Sequence, residues 1–279
     1  ITRQLLSCAY QPTRNSSQTT LDAARLAAEE VGAEFLIFDV DSVVQDYQRI
    51  IAEAIGRQLN WETDDIALQN IQARTRSPSV WMLANLRGAL LLSTSNRSEA
   101  AVGYATMDGD TSGGLCPIAG IDKNFLRKWL RWLETTGPYG GRPYPKLAAV
   151  NRQAPTAELR PQEAGQTDEQ DLMPYDVLDA IERLAIRDKL VPLDVLRMLR
   201  PIYPKHSLRQ LAEWVERFFR LWCRNQWKRE RYAPSFHLDD ENLDPKTWCR
   251  FPILSGGYRR EIRQMWDYVE RLAASEPSA

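Results

Sequence analysis

The stretch from Ala89 to Lys123, ALLLSTSNRSEAAVGYATMDGDTSGGLCPIAGIDK, decides the fold. The apolar run 89–92 predicts a buried strand, and the hydroxyl cluster 93–95 predicts a polar turn before a helix that carries Glu99. In α/β sheets, ligands bind where the carboxyl end of a strand meets the amino end of a helix. We therefore expect the residues of this junction to form a ligand site.

Upstream of this stretch, apolar runs alternate with helical periodicities. The runs Gln4–Ala9 and Phe35–Val40 predict strands. The predicted helices are Thr20–Val31, which stops at Gly32; Val43–Ile55, with an apolar face of Val43, Val44, Tyr47, Ile50, Ile51 and Ala54; and Asp64–Arg76, which Pro78 kinks or restarts. The alternation implies an α/β fold with a Rossmann-like parallel sheet, three placed strands and a fourth expected upstream.

Downstream of Lys123 the sequence predicts helices interrupted by one long loop. The helix from Phe125 to Leu133 has an apolar stripe, and the segment Tyr139–Glu169 is rich in Gly and Pro, which is typical of a mobile loop. Further helices are predicted at Tyr175–Ala185, at Leu193–Leu199, after the N-cap Ser207, and at Tyr258–Ala273. We divide the chain into an α/β core, residues 1–135, a mobile loop, 139–170, and a helical C-terminal part, 171–279.

The composition excludes several classes of protein. With 279 residues, 43% of them hydrophobic, the chain can bury one large core or two modest ones. Its 36 basic and 37 acidic side chains nearly balance, which argues against a nucleic-acid surface. The sequence has no apolar run near the roughly 18 residues of a membrane helix and no secretory signal, so we expect a cytoplasmic protein that binds no membrane.

Cysteine and histidine are too few and too scattered for a zinc site. No two cysteines form a CxxC pair, and only two histidines are present. We therefore expect reduced cysteines. The residues are Cys8, Cys116, Cys223, Cys249, His206 and His237.

Glu99 admits two interpretations. It lies three residues after Asn96, so the pair fits a capping box with Asn96 as the N-cap and Glu99 at N3. A carboxylate after a hydroxyl cluster also fits a Mg²⁺ ligand that bridges nucleotide phosphates, with the Thr94 hydroxyl donating to a phosphate oxygen. Local sequence leaves both interpretations open.

Lys123 also admits two interpretations. It follows Asp122, a predicted N-cap, so its ammonium lies in a first helical turn, where the macrodipole disfavours a cation by about 0.3–1 kcal/mol. A bound phosphate would reverse that cost. The alternative is a solvated lysine on a helix surface.

Three other features carry weaker signals. The turn 108–114 has glycines that let the backbone approach a ligand, although such turns are frequent without one. Arg74 and Arg76 lie on different faces of a helix, so we expect only one of them to point toward a site. The basic run Lys228–Arg231 predicts a solvated helix end, and the aromatic stripe 214–222 before it predicts core or a dimer interface.

Eight sequence blocks agree in order and spacing with one enzyme family. The blocks are YQPTRNSSQTT from Tyr10, NIQARTR from Asn70, STSNRSEAAVGY from Ser93, GIDK from Gly120, PTAEL from Pro155, QTDEQDLMPYDVLD from Gln166, WKRERYAPSFHLD from Trp227 and LDPKTWCRFPI from Leu243. Over nearly the whole chain they resemble the synthetase domain of the NAD synthetases. The last two blocks are most similar to the large glutamine-dependent forms.

The resemblance implies an adenine nucleotide alpha-hydrolase fold of the ATP pyrophosphatase type, with a helical C-terminal extension. In this family ATP adenylates the nicotinate carboxylate of deamido-NAD with release of pyrophosphate, and ammonia then displaces AMP. ATP-phosphate contacts are implied for Thr94, Lys123 and, on loop closure, Thr156. Mg²⁺ binding is implied for Glu99. Contacts with deamido-NAD are implied for Asn70, Arg74, Glu99, Trp227 and Lys228.

The sequence departs from the family pattern at several positions. Trp227 stands where the family carries the histidine of a His-Lys pair, and Met107 and Gly114 stand where the short ammonia-dependent enzymes have Lys and Asp. The family's SGGxDS loop, which wraps the ATP phosphates, would lie upstream of Ile1. The Ser-Gly-Gly at 112–114 lacks the following Asp-Ser, so we expect a fragment that by itself binds ATP poorly.

The resemblance also implies partners. It indicates ammonia, supplied from glutamine by an N-terminal glutaminase domain, and a homodimer or larger assembly. Two alternatives stay open. One is another ATP pyrophosphatase ligase, of the GMP or asparagine synthetase type, and the other is a catalytically inactive dimerisation or regulatory module.

Overall fold

Two parallel strands, β1 (Ser7–Tyr10) and β2 (Glu34–Ile37), pair in a register that sets Ser7 opposite Glu34 and Tyr10 opposite Ile37. The computed structural model describes residues 2–236 and 238–275. These residues divide into two units. The first unit contains 2–93, Thr106–Leu115 and Phe125–Asp171, and the second contains Thr94–Ala105, Cys116–Asn124 and 172–275.

The helices confirm the alternation read from the sequence. Up to residue 171 they are α1 (Thr2–Leu5), α2 (Gln18–Val31), α3 (Asp41–Ile55), α4 (Trp61–Arg87), α5 (Arg97–Val102), α6 (Lys123–Thr135), α7 (Ala148–Asn151) and α8 (Asp168–Asp171). The predicted helix end at Gly32 is confirmed, because this glycine adopts the left-handed conformation (φ +69°) that closes α2. The first predicted strand is shifted, since α1 occupies its start and pairing begins at Ser7.

The predicted third strand, Ala89–Leu92, forms one bridge instead of a strand. Leu92 is bridged in parallel with Leu115, and the Gly114 N–H donates to the Leu91 carbonyl at 2.8 Å. Among the described residues, the sheet itself consists of β1 and β2. The apolar run 89–92 therefore pairs with Leu115, in a turn further along the chain. The composition of the run does not predict this partner.

Two expectations about the helices of the first unit were wrong. α4 continues past Pro78, and its backbone leaves helical geometry only at Asp64 (φ −118°, ψ 16°). On α3, Val44 is buried, but Tyr47 and Ile50 of the predicted apolar face are 45% and 51% exposed. Periodicity identified α3, but burial depends on neighbours that are distant in sequence.

The segment 139–170, predicted as a mobile loop, contains α7, α8 and two 3-10 turns, Pro145–Leu147 and Gln162–Ala164. Arg160 in this segment binds the carboxylates of Asp65 and Asp171 at 2.9 and 3.0 Å. The segment therefore contains short helical turns within the predicted loop. Its mobility stays a prediction.

The second unit is helical, as predicted for the C-terminal part. Its further helices are α9 (Tyr175–Glu182), continued by a π-helical turn (Arg183–Arg187), α10 (Pro192–Ile202), α11 (Leu208–Arg224), α12 (Gln226–Arg229) and α13 (Arg259–Ser275). Ser207 is confirmed as the N-cap of α11, because its hydroxyl accepts from the Gln210 N–H at 3.1 Å. Phe218 and Trp222, from the predicted aromatic stripe, are buried and stacked with ring centroids 6.4 Å apart.

In the part of the chain that the structure describes, no helix is long and apolar enough to cross a membrane. The four cysteines, all within the described residues, form no disulfide with one another. Within 2–236 and 238–275, no group of three or more His, Cys, Asp or Glu side chains is arranged to hold a metal ion. His237, one of the two histidines considered for zinc, lies outside the described residues.

Candidate functional site

The helix α5 carries Glu99 and contains six residues, too few for a helix that is stable alone. At its start, Asn96 Oδ1 accepts from the Glu99 N–H at 3.0 Å, and Glu99 Oε2 accepts from the Asn96 N–H at 3.3 Å. The capping-box interpretation is confirmed. It occupies one oxygen of the Glu99 carboxylate and fixes the direction of the other.

The second oxygen of Glu99 binds Lys123. The Lys123 Nζ donates to Glu99 Oε1 at 2.9 Å, and both side chains are mostly buried. The same ammonium lies 5.6 Å from the ring centroid of Tyr175 on α9, within the range of a cation–π interaction. The structure thus joins two predicted site residues in one ion pair, so the interpretation of Lys123 as a solvated lysine was wrong. The Thr94 side chain lies nearby in sequence and is exposed.

Two residues that the sequence analysis missed hold the start of α6. The Ser98 hydroxyl accepts from the Lys123 N–H at 2.8 Å and donates to Asp179 Oδ1 at 2.5 Å. Asp179 Oδ2 accepts from the Asn124 N–H at 3.1 Å. Ser98 and Asp179 therefore satisfy the first two amides of α6, and the N-cap role of Asp122 stays a prediction. The signal for Asp179 was its place in the QTDEQDLMPYDVLD block.

Four carboxylates surround the buried side chain of Arg97, the first residue of α5. The guanidinium lies 3.0 Å from Glu182 and 2.6 Å from Glu241, and it also contacts Asp122 and Asp239. Glu182 is 2% exposed. Burial raises the pKa of Glu182 well above its ordinary value, although the charge of Arg97 acts in the opposite direction. Burial likewise raises the pKa of Asp179 to about 7.

The end of α5 is bound by side chains from α12 and the residue before it. Asn225 Nδ2 donates to the Val102 carbonyl at 2.7 Å, and Lys228 Nζ donates to the carbonyls of Gly103 and Ala105 at 2.8 and 2.7 Å. The bonds to Val102 and Gly103 satisfy carbonyls at the helix end that lack intrahelical partners, and the bond to Ala105 lies in the residues that follow.

Arg229 completes this arrangement and is 2% exposed. Its guanidinium donates to the Ala101 and Trp222 carbonyls at 2.8 and 2.5 Å and lies 3.7 Å from the Trp222 ring centroid. Burial lowers the pKa of Arg229 to about 10. The solvated helix end predicted for Lys228–Arg231 was wrong for Lys228 and Arg229, which bind backbone carbonyls at the end of α5, whereas Arg231 is exposed.

Trp227, next to Lys228 on α12, is 40% exposed. The Lys228 ammonium and the Arg231 guanidinium lie 5.9 and 6.0 Å from ring centroids of its indole. Trp227 stands where the resemblance places the histidine of a His-Lys pair, and its indole is flanked by two cations.

In the first unit, Asn70 and Arg74 on α4 face the turn that begins at Thr106. The Thr106 hydroxyl donates to Asn70 Oδ1 at 2.8 Å, and Arg74 Nε donates to the Met107 carbonyl at 3.1 Å. Arg76 Nε donates instead to the Gln11 carbonyl, so the two arginines point to different partners, as predicted. Asn70 and Arg74 are brought together, one helical turn apart.

Thr156 is used within its own segment of the first unit. Its hydroxyl donates to the Gln166 carbonyl at 2.7 Å and accepts from the Glu158 N–H at 3.2 Å. The Glu158 carboxylate accepts from the Ser17 and Thr20 hydroxyls, each at 2.7 Å. The segment is thus bound to the start of α2 through Glu158.

The first unit also contains a cavity of about 490 Å³. Its lining includes the surface ion pair of Arg14 and Asp41, the indole of Trp61 and the buried amide of Gln72. None of the site residues predicted from the sequence lines it.

Comparison with solved structures defines the class of protein. The chain is similar to the crystal structure of a glutamine-dependent NAD(+) synthetase from Cytophaga hutchinsonii, with 48% identity, a TM-score of 0.82, and coverage of 95% of this chain and 41% of that one. The parallel sheet with its covering helices is the adenine nucleotide alpha-hydrolase fold, which confirms the predicted fold class. The NAD synthase family model matches residues 3–230, and the chain belongs to that family.

Curated relatives support the same assignment. The glutamine-dependent NAD(+) synthetase of Thermotoga maritima is 36% identical over 243 residues, 87% of this chain and 38% of the relative. That of Aquifex aeolicus is 34% identical over 195 residues, 70% of this chain and 32% of the relative. The chain therefore spans between about a third and two fifths of the length of these relatives.

Proposed function

We propose that this chain is the synthetase part of a glutamine-dependent NAD synthetase, which uses ATP to amidate deamido-NAD. The likeness to the Cytophaga hutchinsonii enzyme, 48% identity over 95% of this chain, carries the proposal. In the proposed reaction a nicotinate carboxylate oxygen attacks the α-phosphorus of ATP, and pyrophosphate leaves. Ammonia derived from glutamine then attacks the acyl carbon, AMP leaves with the carboxylate oxygen, and the amide loses a proton.

We assign Lys123 and Glu99 to the phosphate end of this reaction. Adenylation of this kind depends on positioning and on cations that neutralise developing charge, more than on acid or base catalysis. The ammonium of Lys123, held 2.9 Å from Glu99, suits that role. The exposed Thr94 hydroxyl and the Thr156 hydroxyl are further proposed phosphate contacts.

Mg²⁺ is the proposed metal, with Glu99 as its protein ligand. Mg²⁺ typically takes one or two carboxylates together with waters and substrate phosphates, so one mostly buried carboxylate fits a site that ATP completes. When bound, the ion would neutralise charge on the phosphate oxygens. The capping box holds Glu99 Oε2 and leaves Oε1, now bound to Lys123, as the oxygen that a cation could share.

We assign Asn70, Arg74, Trp227 and Lys228 to contacts with deamido-NAD, as the resemblance implies. The half-exposed indole of Trp227 offers an aromatic face where the family has a histidine. Lys228 would have to share its ammonium between substrate and the Gly103 and Ala105 carbonyls. An N-terminal glutaminase domain, a homodimeric or larger assembly and a cytoplasmic location complete the proposal.

The test uses the full-length protein with ATP, Mg²⁺ and glutamine or ammonia, and measures NAD formed from deamido-NAD. Xanthosine monophosphate and aspartate replace deamido-NAD in parallel reactions, with AMP release as the readout. We expect NAD and AMP in equal amounts when deamido-NAD is the acceptor, and no AMP release with the other two acceptors. AMP release with xanthosine monophosphate or aspartate would indicate another ligase, and no reaction with any acceptor would indicate an inactive module.

The role of Glu99 is tested by Glu99→Gln, with Glu62→Gln on the exposed start of α4 as the control. The amide oxygen can still accept from the Asn96 N–H, but the ion pair with Lys123 is lost, so we expect a loss of about 1–3 kcal/mol in the free energy of unfolding. At limiting Mg²⁺ we expect NAD formation to fall roughly 10- to 100-fold. Unchanged activity at limiting Mg²⁺ would leave Glu99 with a capping role alone.

A further inference from the structure

We infer that Asp179, acting through Ser98, is a positioning residue that sets the Lys123 ammonium against the Glu99 carboxylate. This inference rests on the proposed function, in which Lys123 and Glu99 act on ATP. Neither Asp179 nor Ser98 contacts the Glu99 carboxylate in the hydrogen bonds described above. Both act on the backbone that carries Lys123.

The geometry forms one continuous chain of hydrogen bonds. Asp179 Oδ1 accepts from the Ser98 hydroxyl at 2.5 Å, and that hydroxyl accepts from the Lys123 N–H at 2.8 Å. Asp179 Oδ2 accepts from the Asn124 N–H at 3.1 Å. One carboxylate on α9 therefore fixes both the first turn of α6 and the residue adjacent to Glu99 on α5.

Burial makes this arrangement rigid. Ser98 is 0% exposed and Asp179 is 6% exposed, so removing one partner would leave a buried polar group unsatisfied. Tyr175, one turn before Asp179 on α9, lies beneath the Lys123 ammonium. The same helix thus positions both the backbone and the side chain of Lys123, and outer groups of this kind usually change ligand affinity or activity by 10- to 100-fold when mutated.

The chemistry of the chain defines the variants. Asp179→Asn replaces one of the two acceptor oxygens with an NH2 donor, so the contact with either the Ser98 hydroxyl or the Asn124 N–H loses its acceptor. Ser98→Ala removes the intermediate hydroxyl and leaves Asp179 in place. Asp176→Asn is the matched control, because Asp176 lies on α9 with an exposed side chain.

The experiment measures, for the full-length protein, the Kd of the Mg²⁺ complex of a non-hydrolysable ATP analogue, and the kcat and KM for ATP and for deamido-NAD. We expect Asp179→Asn and Ser98→Ala each to weaken analogue binding and to raise the KM for ATP roughly 10-fold, with the KM for deamido-NAD nearly unchanged. Because both act through one chain, the double variant should be no worse than the poorer single variant. The thermal midpoint of each variant is recorded to verify folding.

Three outcomes would overturn the inference: multiplicative effects of the two substitutions, equal effects on both KM values, or Asp179→Asn behaving like Asp176→Asn. If Asp179→Asn fails to fold, Ser98→Ala tests the inference alone. It should raise the KM for ATP and leave the KM for deamido-NAD nearly unchanged. Wild-type protein that forms no NAD would contradict the proposed function. Active wild-type protein with unaffected variants would contradict the positioning role alone.

Discussion

Two carboxylates with arginine partners, Glu34 in the first unit and Glu182 in the second, have pKa values shifted in opposite directions. In the first unit, hydrogen bonds from Arg87 and Ser7 lower the pKa of Glu34 to about 2. In the second unit, burial raises the pKa of Glu182 well above its ordinary value, even though Arg97 lies 3.0 Å away. An arginine partner is present in both cases, so the difference lies in access to water.

The two ion pairs differ in how much breaking them costs in free energy of unfolding. At the surface, an ion pair contributes little to the free energy of unfolding, since water solvates both partners when it is broken. In the interior, desolvation costs several kcal/mol for each ion, and breaking the pair leaves an uncompensated charge. We therefore expect the second unit to be far more sensitive to charge substitutions than the first.

The largest effect is expected for Arg97→Met, compared with Arg87→Met at the surface of the first unit. Loss of the Arg97 guanidinium leaves the buried Glu182 without its cation, whereas Glu241 keeps Arg183 and Arg187, and we expect a loss of about 3–5 kcal/mol in the free energy of unfolding. The Arg87 variant should change little. Urea unfolding of both variants measures the two losses of unfolding free energy. Equal losses would contradict the expected difference between the buried and the surface ion pair.

A smaller effect is expected for Lys228→Met, with the exposed Lys205→Met as the control. The substitution leaves the Gly103 and Ala105 carbonyls without the Lys228 donor, which should cost about 1–3 kcal/mol of stability in urea unfolding. If Lys228 served only to bind substrate, its variant would be as stable as the control.

Glu182→Gln should change how stability depends on pH. The folded pKa of Glu182 is raised, so the folded protein retains a proton that the unfolded chain releases above about 4.5. Stability therefore falls as pH rises from that value toward the folded pKa, and glutamine should flatten this decline. Unfolding midpoints of wild type and variant across this range measure the slope, and parallel curves would contradict the assignment.

The smallest effect is expected for Glu34→Gln, with the opposite sign. The pKa of Glu34 is lowered to about 2, so its stabilising contribution is present above about 4.5 and is lost as pH falls toward 2. The variant should therefore be slightly less stable than wild type at pH 6 and equal to it near pH 2. A difference that grew on acidification would reverse the interpretation.

Local signals in the sequence predicted local structure well. The end of α2 at Gly32, the N-cap Ser207 and the capping box of Asn96 and Glu99 each depend on a few adjacent residues. The resemblance to the NAD synthetases supplied what local signals could not, since order and spacing over many blocks identified the fold and the family.

The sequence did not predict features that depend on contacts between residues far apart in the chain. The pairing of the 89–92 run, the burial of Arg229 and the partnership of Ser98 with Asp179 all join positions far apart in the chain. Composition gives a basic run such as Lys228–Arg231 the same appearance whether it faces water or carbonyls. Only the packing of the second unit distinguishes the two cases.

The brevity of α5 has a consequence for biosynthesis. The donors to the carbonyls at its end are the side chains of Asn225, Lys228 and Arg229. The bond from Lys228 to Gly103 spans 125 residues of sequence. At about 5–20 residues per second, a ribosome needs roughly 6–25 seconds to make that span. The nascent chain therefore carries Glu99 through this interval on a helix without its final partners, and the orientation of the candidate metal ligand is completed only after α12 has emerged.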